Sequence, residues 1–174
     1  AEIEAARSDV DRPVHTADPD WAVNGAGLPF NHKYGAGLVD AAAAVEVARN
    51  WTNLPAVSVL PRSNTSSTAI PDANATGVTK TMVFTETNFR VEQVEVLVNL
   101  THAARGDLEV ILTSPSGMQS RLAEHHQDTG DNYASWTFTS VRHWGETAAG
   151  NWTVKVADRE PGNTGTFGSL TVRL

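Results

Sequence analysis

The stretch Val94–Leu100, VEVLVNL, decides the fold. Val94, Val96, Val98 and Leu100 fall on one face and Glu95, Leu97 and Asn99 on the other, the period of two that marks a strand with one buried side. The same alternation returns at Leu108, Val110 and Leu112, at Trp136 and Phe138, at Trp152, Val154 and Val156, and at Leu170, Val172 and Leu174; a further run covers Thr81–Thr85. Between these runs lie SPSG, QDTGDN, AAGN and EPGNTG, clusters of the residues that supply turn conformations. Short strands parted by turns, with no helical period between them, predict a mainly β fold, an antiparallel sandwich or jelly roll.

Toward the N-terminus the period changes. Leu38–Asn50, LVDAAAAVEVARN, is rich in alanine and free of Gly and Pro, which predicts a helix. Its apolar residues Leu38, Ala41, Ala42 and Val45 recur at spacings of three and four, so one face must dock on something. The preceding GAGLPFNHKYGAG reads as a loop ordered by packing. Residues 1–50 hold too little apolar material for a core of their own, so their partner surface is expected to lie outside the chain. The Pro-, Ser- and Thr-rich run PAVSVLPRSNTSSTAIPDAN reads as a linker or as edge segments at the start of a domain. These shifts divide the chain into 1–52, an incomplete tail, and 53–174, a β-sandwich.

Composition removes several function classes. The 174 residues carry 13 Lys and Arg against 20 Asp and Glu, a formal charge of −7 and the wrong sign for a nucleic-acid partner. The absence of cysteine excludes disulfides, thiolate zinc sites and cysteine nucleophiles. No apolar run approaches the roughly 18–20 residues of a membrane span. The start AEIEAARSDVD is neither a basic leader nor an apolar signal core, and a chain opening on Ala is expected to be cut from something longer.

Two sets of motifs resemble one family. GAGLPFNHKYGAGLVDAAAAVEVARNW resembles the C-terminal end of the catalytic domain in kexin-like subtilisins, a Tyr-Gly-x-Gly turn leading into a last helix with an Asp-Ala pair, here Tyr34, Gly35, Gly37, Asp40 and Ala41. LTH at Leu100–His102, RGDLE at Arg105–Glu109, LTSPSG at Leu112–Gly117, HWGE at His143–Glu146 and GNW at Gly150–Trp152 look like the P domain, or Homo B domain, of proprotein convertases. The resemblance implies a galactose-binding-like jelly roll after the helical tail of a subtilisin-type α/β domain. It also implies a secreted, calcium-dependent serine endopeptidase as the parent, acting on polypeptide substrates, with the P domain stabilising the upstream catalytic domain and modulating its calcium and pH dependence. The family's serine opens a helix in a Gly-Thr-Ser context that this chain lacks, so the nucleophile and its partners are expected upstream of Ala1 and the chain itself is expected to be inactive. Residues through about Val10 would close a helix after that serine.

Tempting sites have plainer readings. Arg105-Gly106-Asp107 enters a strand directly, which favours a structural turn over an adhesion tripeptide: Gly106 permits the turn, Asp107 accepts backbone N–H groups, and Arg105 pairs with a carboxylate. His125-His126 does not have metal-ligand spacing and reads as a solvated loop. The loop EHHQDTGDN, Glu124–Asn132, is the candidate calcium site: Glu124, Asp128 and Asp131 offer hard oxygen ligands, with Asp107 as a fourth from a strand end. Asp158–Thr166 is a weaker candidate of the same kind. The five Asn-x-Ser/Thr triplets, two of them in predicted strands, do not establish glycosylation. Trp136 and Trp152 share the phase of apolar strand positions and are expected in the core, whereas Trp144, in a loop, is more open to docking. A second reading stays open, a stand-alone carbohydrate- or protein-binding jelly-roll module. A hydrolase built from His102, His143 and a carboxylate is the third.

Overall fold

A computed structural model describes residues 17–53 and 56–174; the helix end expected before Val10 and the junction residue Leu54 lie outside them. A two-residue hairpin pair, β1 (Ala22–Val23) and β2 (Pro29–Phe30), precedes one helix, α1 (Ala41–Arg49). Nine strands follow: β3 (Pro61–Asn64), β4 (Thr68–Ile70), β5 (Val78–Phe84), β6 (Val94–Thr101), β7 (Leu108–Thr113), β8 (Gln119–Ala123), β9 (Tyr133–Ser140), β10 (Gly150–Asp158) and β11 (Gly165–Arg173).

These strands form two antiparallel sheets, one in the order β5-β10-β7-β8 and the other β3-β11-β6-β9, with β4 also paired to β11. The alternation seen in the sequence sets which side faces inward. Val94, Val96 and Val98 of β6, Leu108, Val110 and Leu112 of β7, Trp152, Val154 and Val156 of β10, and Leu170 and Val172 of β11 are all fully buried between the sheets. The Trp152 indole N–H donates to the Ala148 carbonyl at 2.8 Å, which satisfies its polar edge inside the core.

Three expectations are refined. Of the two readings of the Pro-, Ser- and Thr-rich run, linker or edge segments, the second holds: it supplies β3 and β4, and Ile70 of β4 enters the core at 1% exposure. Its Pro61 sits in β3 at a sheet edge, the place where a missing N–H is tolerated. Helix α1 starts at Ala41 instead of Leu38, because the Asp40 carboxylate accepts the Ala43 N–H at 2.9 Å and caps the helix there.

Trp136 is the third. It pairs with Val98 and shares its inward phase, yet it is 44% exposed. Strand β9 is the edge of its sheet, where the indole meets Tyr133, Phe138 and the Arg105 guanidinium and keeps part of its surface open.

The N-terminal hairpin does not wait for an outside partner. Leu28 and Phe30 pack with Met118, flanked by Ala22, Ala36 and Trp144, in a second small apolar cluster on the sandwich. Helix α1 behaves differently: none of its residues is buried, and Leu38, Val39, Val45 and Trp51 are exposed.

Candidate functional site

Three groups of polar residues are built into the ends of the sandwich. The first surrounds Arg105–Asp107, a single 3-10 turn leading into β7. Arg105 Nε donates to Asp128 Oδ2 at 2.8 Å, and the guanidinium stands 5.5 Å from the Trp136 ring centroid and 6.0 Å from that of Tyr133. The Arg105 hydrogen bond, helped by the Gly130 N–H, holds the Asp128 carboxyl below its ordinary value. Main-chain bonds stitch the 124–132 loop to the turn: Gly106 N–H to the Asp128 carbonyl at 3.1 Å and His126 N–H to the Gly106 carbonyl at 3.0 Å. A Cβ at Gly106 would sit 2.4 Å from the His126 oxygen, so the tripeptide is a packed turn with a buried centre.

The calcium residues expected from the sequence are dispersed around this turn. Asp128 is engaged by Arg105; Asp131 accepts from the Asn132 side chain at 3.0 Å; Glu124 is 72% exposed with Arg121 at 3.8 Å. His125 and His126 are exposed and turn to different partners, Glu160 and the Glu124 carbonyl. Asp107 stands apart from them, in a second group with His102 and Asp158. Among the described residues this is the set of three His, Asp or Glu ligand atoms close enough to share an ion, all within 4.8 Å of one another. His102 and Asp158 are completely shielded, with Nε2 and Oδ2 3.1 Å apart.

The third group joins the hairpin to the sandwich. The Asn24 side chain, 4% exposed, donates to the carbonyls of Arg142 and Trp144 at 3.0 and 2.9 Å and accepts from the Ala26 and Leu28 N–H groups. Glu146 Oε1 accepts the Gly25 N–H at 2.7 Å and the Ser116 hydroxyl at 2.8 Å. Burial pushes the Glu146 carboxyl up, but His143, the Gly25 N–H and the Ser116 and Ser114 hydroxyls outweigh it and leave the group below its ordinary value. His143 Nδ1 lies 3.5 Å from Glu146 Oε2, and its ring meets Trp152 edge-on at 5.0 Å.

Ser116, Glu146 and His143 contain the residue types of a hydrolytic triad in the wrong order. The carboxylate stands between hydroxyl and imidazole, so the imidazole cannot take the serine proton. His102 faces its own carboxylate, and among the described residues no hydroxyl is hydrogen-bonded to either ring. What the arrangement does is lock loops and a hairpin onto a sandwich.

Every motif singled out in the C-terminal part falls on one of these groups or on the strand beside it. Residues 91–174 match the family model described as the proprotein convertase P-domain. The chain carries a proprotein convertase P domain. It is 38% identical over 161 residues to the rat (Rattus norvegicus) proprotein convertase subtilisin/kexin type 6, across 84% of this chain and 16% of that protein. To rat furin it is 33% identical over 170 residues, across 92% of this chain and 21% of furin. The crystal structure of the serine protease of Aeromonas sobria superposes with a TM-score of 0.74 at 26% identity, covering 88% of this chain and 32% of that one; that protease is also seen in complex with a chaperone. The chain therefore spans a third or less of each of these three proteins. The P domain is a non-catalytic C-terminal region of subtilisin/kexin proteases, and the sandwich described above is its fold. No helix among the described residues is long and apolar enough to cross a membrane.

Sequence reasoning named Asp107 and Asp128 but not their partners. The signal for Glu146 and His143 was the HWGE word itself, a charged pair around a tryptophan, which periodicity alone cannot assign to burial.

Proposed function

We propose that this chain is the non-catalytic C-terminal part of a secreted subtilisin/kexin-type serine endopeptidase, with 1–52 completing the upstream catalytic domain and 53–174 forming the P domain that braces it. The observation that carries this is the split behaviour of the N-terminal part. Its hairpin is locked to the sandwich through Asn24 and Gly25, while the capped helix α1 and its flanking residues leave Leu38, Val39, Val45 and Trp51 in solvent. An amphipathic helix with a bare apolar stripe is stable when a second body covers it, and the segment resembling the end of a catalytic domain is the one left bare. A sandwich that binds only the folded protease shifts its unfolding equilibrium by mass action, a contribution that needs interface and no chemistry.

The test is to express the catalytic domain with and without this chain, and with the chain supplied in trans. The proposal expects peptide hydrolysis and a raised melting temperature only where the chain is present; equal stability of the catalytic domain alone refutes it. Calcium dependence of the parent belongs to the same proposal. Since the four carboxylates expected to share an ion are not gathered, calcium titration of the chelator-treated chain decides whether it binds here.

Trp136 favours a second reading, a carbohydrate- or protein-binding module, because an exposed indole beside Arg105 at a sheet edge is a usable platform. Specific retention on a glycan array that is lost in Trp136→Ala supports it; an empty array leaves the bracing role.

A further inference from the structure

The His102 ring is held in one orientation. Its Nδ1 lies 2.6 Å from the carbonyl oxygen and 3.2 Å from the N–H of Ala104, so one residue's main chain fixes the ring. Nε2 is thereby aimed at Asp158 Oδ2, 3.1 Å away in the shielded interior. Asp107 brings a second carboxylate into the same space. The basic side chains nearby are engaged elsewhere, Arg105 with Asp128 and Arg159 with Glu109, and neither Asp107 nor Asp158 is ion-paired with Lys or Arg among the described residues. A divalent ion at this point would offset two carboxylates that no Lys or Arg salt bridge reaches among the described residues.

We propose that His102, Asp107 and Asp158 bind a divalent transition ion of the zinc class. Imidazole nitrogen with carboxylate oxygen suits such ions, whereas calcium takes oxygen throughout. Ligand atoms roughly 2.0–2.2 Å from zinc stand about 3–3.5 Å apart in tetrahedral geometry, and Nε2 and Oδ2 are at 3.1 Å. The supporting bonds are in place. The Nδ1 contact with the Ala104 main chain orients the ring as outer partners do for metal-bound histidines, and Asp158 Oδ1 is anchored by the Glu160 N–H at 3.1 Å. The Asp107 carbonyl is tied by the Arg159 N–H at 2.8 Å.

A Cβ on Gly165 would sit 2.7 Å from His102 Cδ2, so the bare backbone of β11 makes room for this ring position. Asp107 is only half-buried and gives the ion its access route. The ligands come from the end of β6, the turn before β7 and the end of β10. Because β6 and β10 belong to opposite sheets, the ion would cross-link the sandwich.

The test uses the 174-residue chain, stripped with chelator and titrated with zinc chloride by calorimetry and by melting. One ion per chain and a raised melting temperature are expected, with cobalt giving a visible ligand-field absorption. Asp107→Asn should weaken zinc binding at least tenfold with the metal-free melting temperature little changed. A variant carrying His125→Ala and His126→Ala should bind zinc fully. Zinc uptake that disappears in that double variant, or survives Asp107→Asn unaltered, overturns the proposal. So does nitrogen NMR showing a proton on His102 Nε2 in zinc-saturated protein, which would make the group an ion pair only. Calcium uptake in preference to zinc overturns the assigned ion class.

Discussion

Gly25 donates its backbone N–H to Glu146 across 121 residues of chain, at 2.7 Å. This one bond ties the hairpin to the loop between β9 and β10, and the same carboxylate oxygen holds Ser116. The short apolar cluster of Leu28, Phe30 and Met118 depends on that registration, since three side chains are too few to position a hairpin alone.

Glu146→Ala removes the acceptor and leaves the Gly25 N–H and the Ser116 hydroxyl without it. Hydrogen bonds to a charged group contribute about 1.5–3 kcal/mol, so a loss of stability on that order is expected. Hydrogen exchange separates this from global damage: residues 22–30 should exchange faster while Val94–Leu100 keep their protection.

Acid should release the same contact. The Glu146 carboxyl lies below its ordinary value in the folded chain, so the stability it contributes is complete above the ordinary glutamate range and is lost as pH falls through the lowered one. Trp144, packed against the Leu28 cluster, should report this as a fluorescence change under acid. In Glu146→Gln the acid transition of Trp144 should vanish; a transition unchanged in that variant would assign it to another group.

Arg105→Lys keeps the charge facing Asp128 but loses the flat guanidinium over Trp136 and Tyr133. Cation–π contacts at partly exposed sites contribute about 0.5–1 kcal/mol, so destabilisation of that order is expected, with a shift in Trp136 emission. Arg105→Ala should cost more, because the 124–132 loop loses its charged anchor as well.

Helix α1 should be the least protected element of the isolated chain. None of its residues is buried, so tertiary packing contributes little and nine residues are too few for a stable isolated helix. Amide exchange over residues 41–49 should approach that of an unfolded peptide, and Asp40→Ala, which removes the cap, should accelerate it further. Protection equal to that of β6 would contradict the exposed placement.

Much of the sandwich was legible in the chain. A side-chain period of two reports burial directly wherever a strand has one covered face, as at Val94–Leu100 and Trp152–Val156. Trp136 shows where that signal stops: its phase matches Val98, but it stands on an edge strand, and a period of two does not report which strands are edges. The run holding β3 and β4 stayed open between linker and edge segments because their pairing partner, β11, lies about a hundred residues on, and short strands carry few apolar residues to mark them.

The sequence by itself determined the class of fold and the family, since alternation and ordered motifs are local properties that survive without knowledge of distance. Only the tertiary structure decided which charges meet. It set Asp107 beside His102 and Asp158 instead of Asp128, and it bonded Glu146 to Gly25. Such pairings come from loops brought together by sheet order, and charged side chains in loops obey no period from which their neighbours could be read.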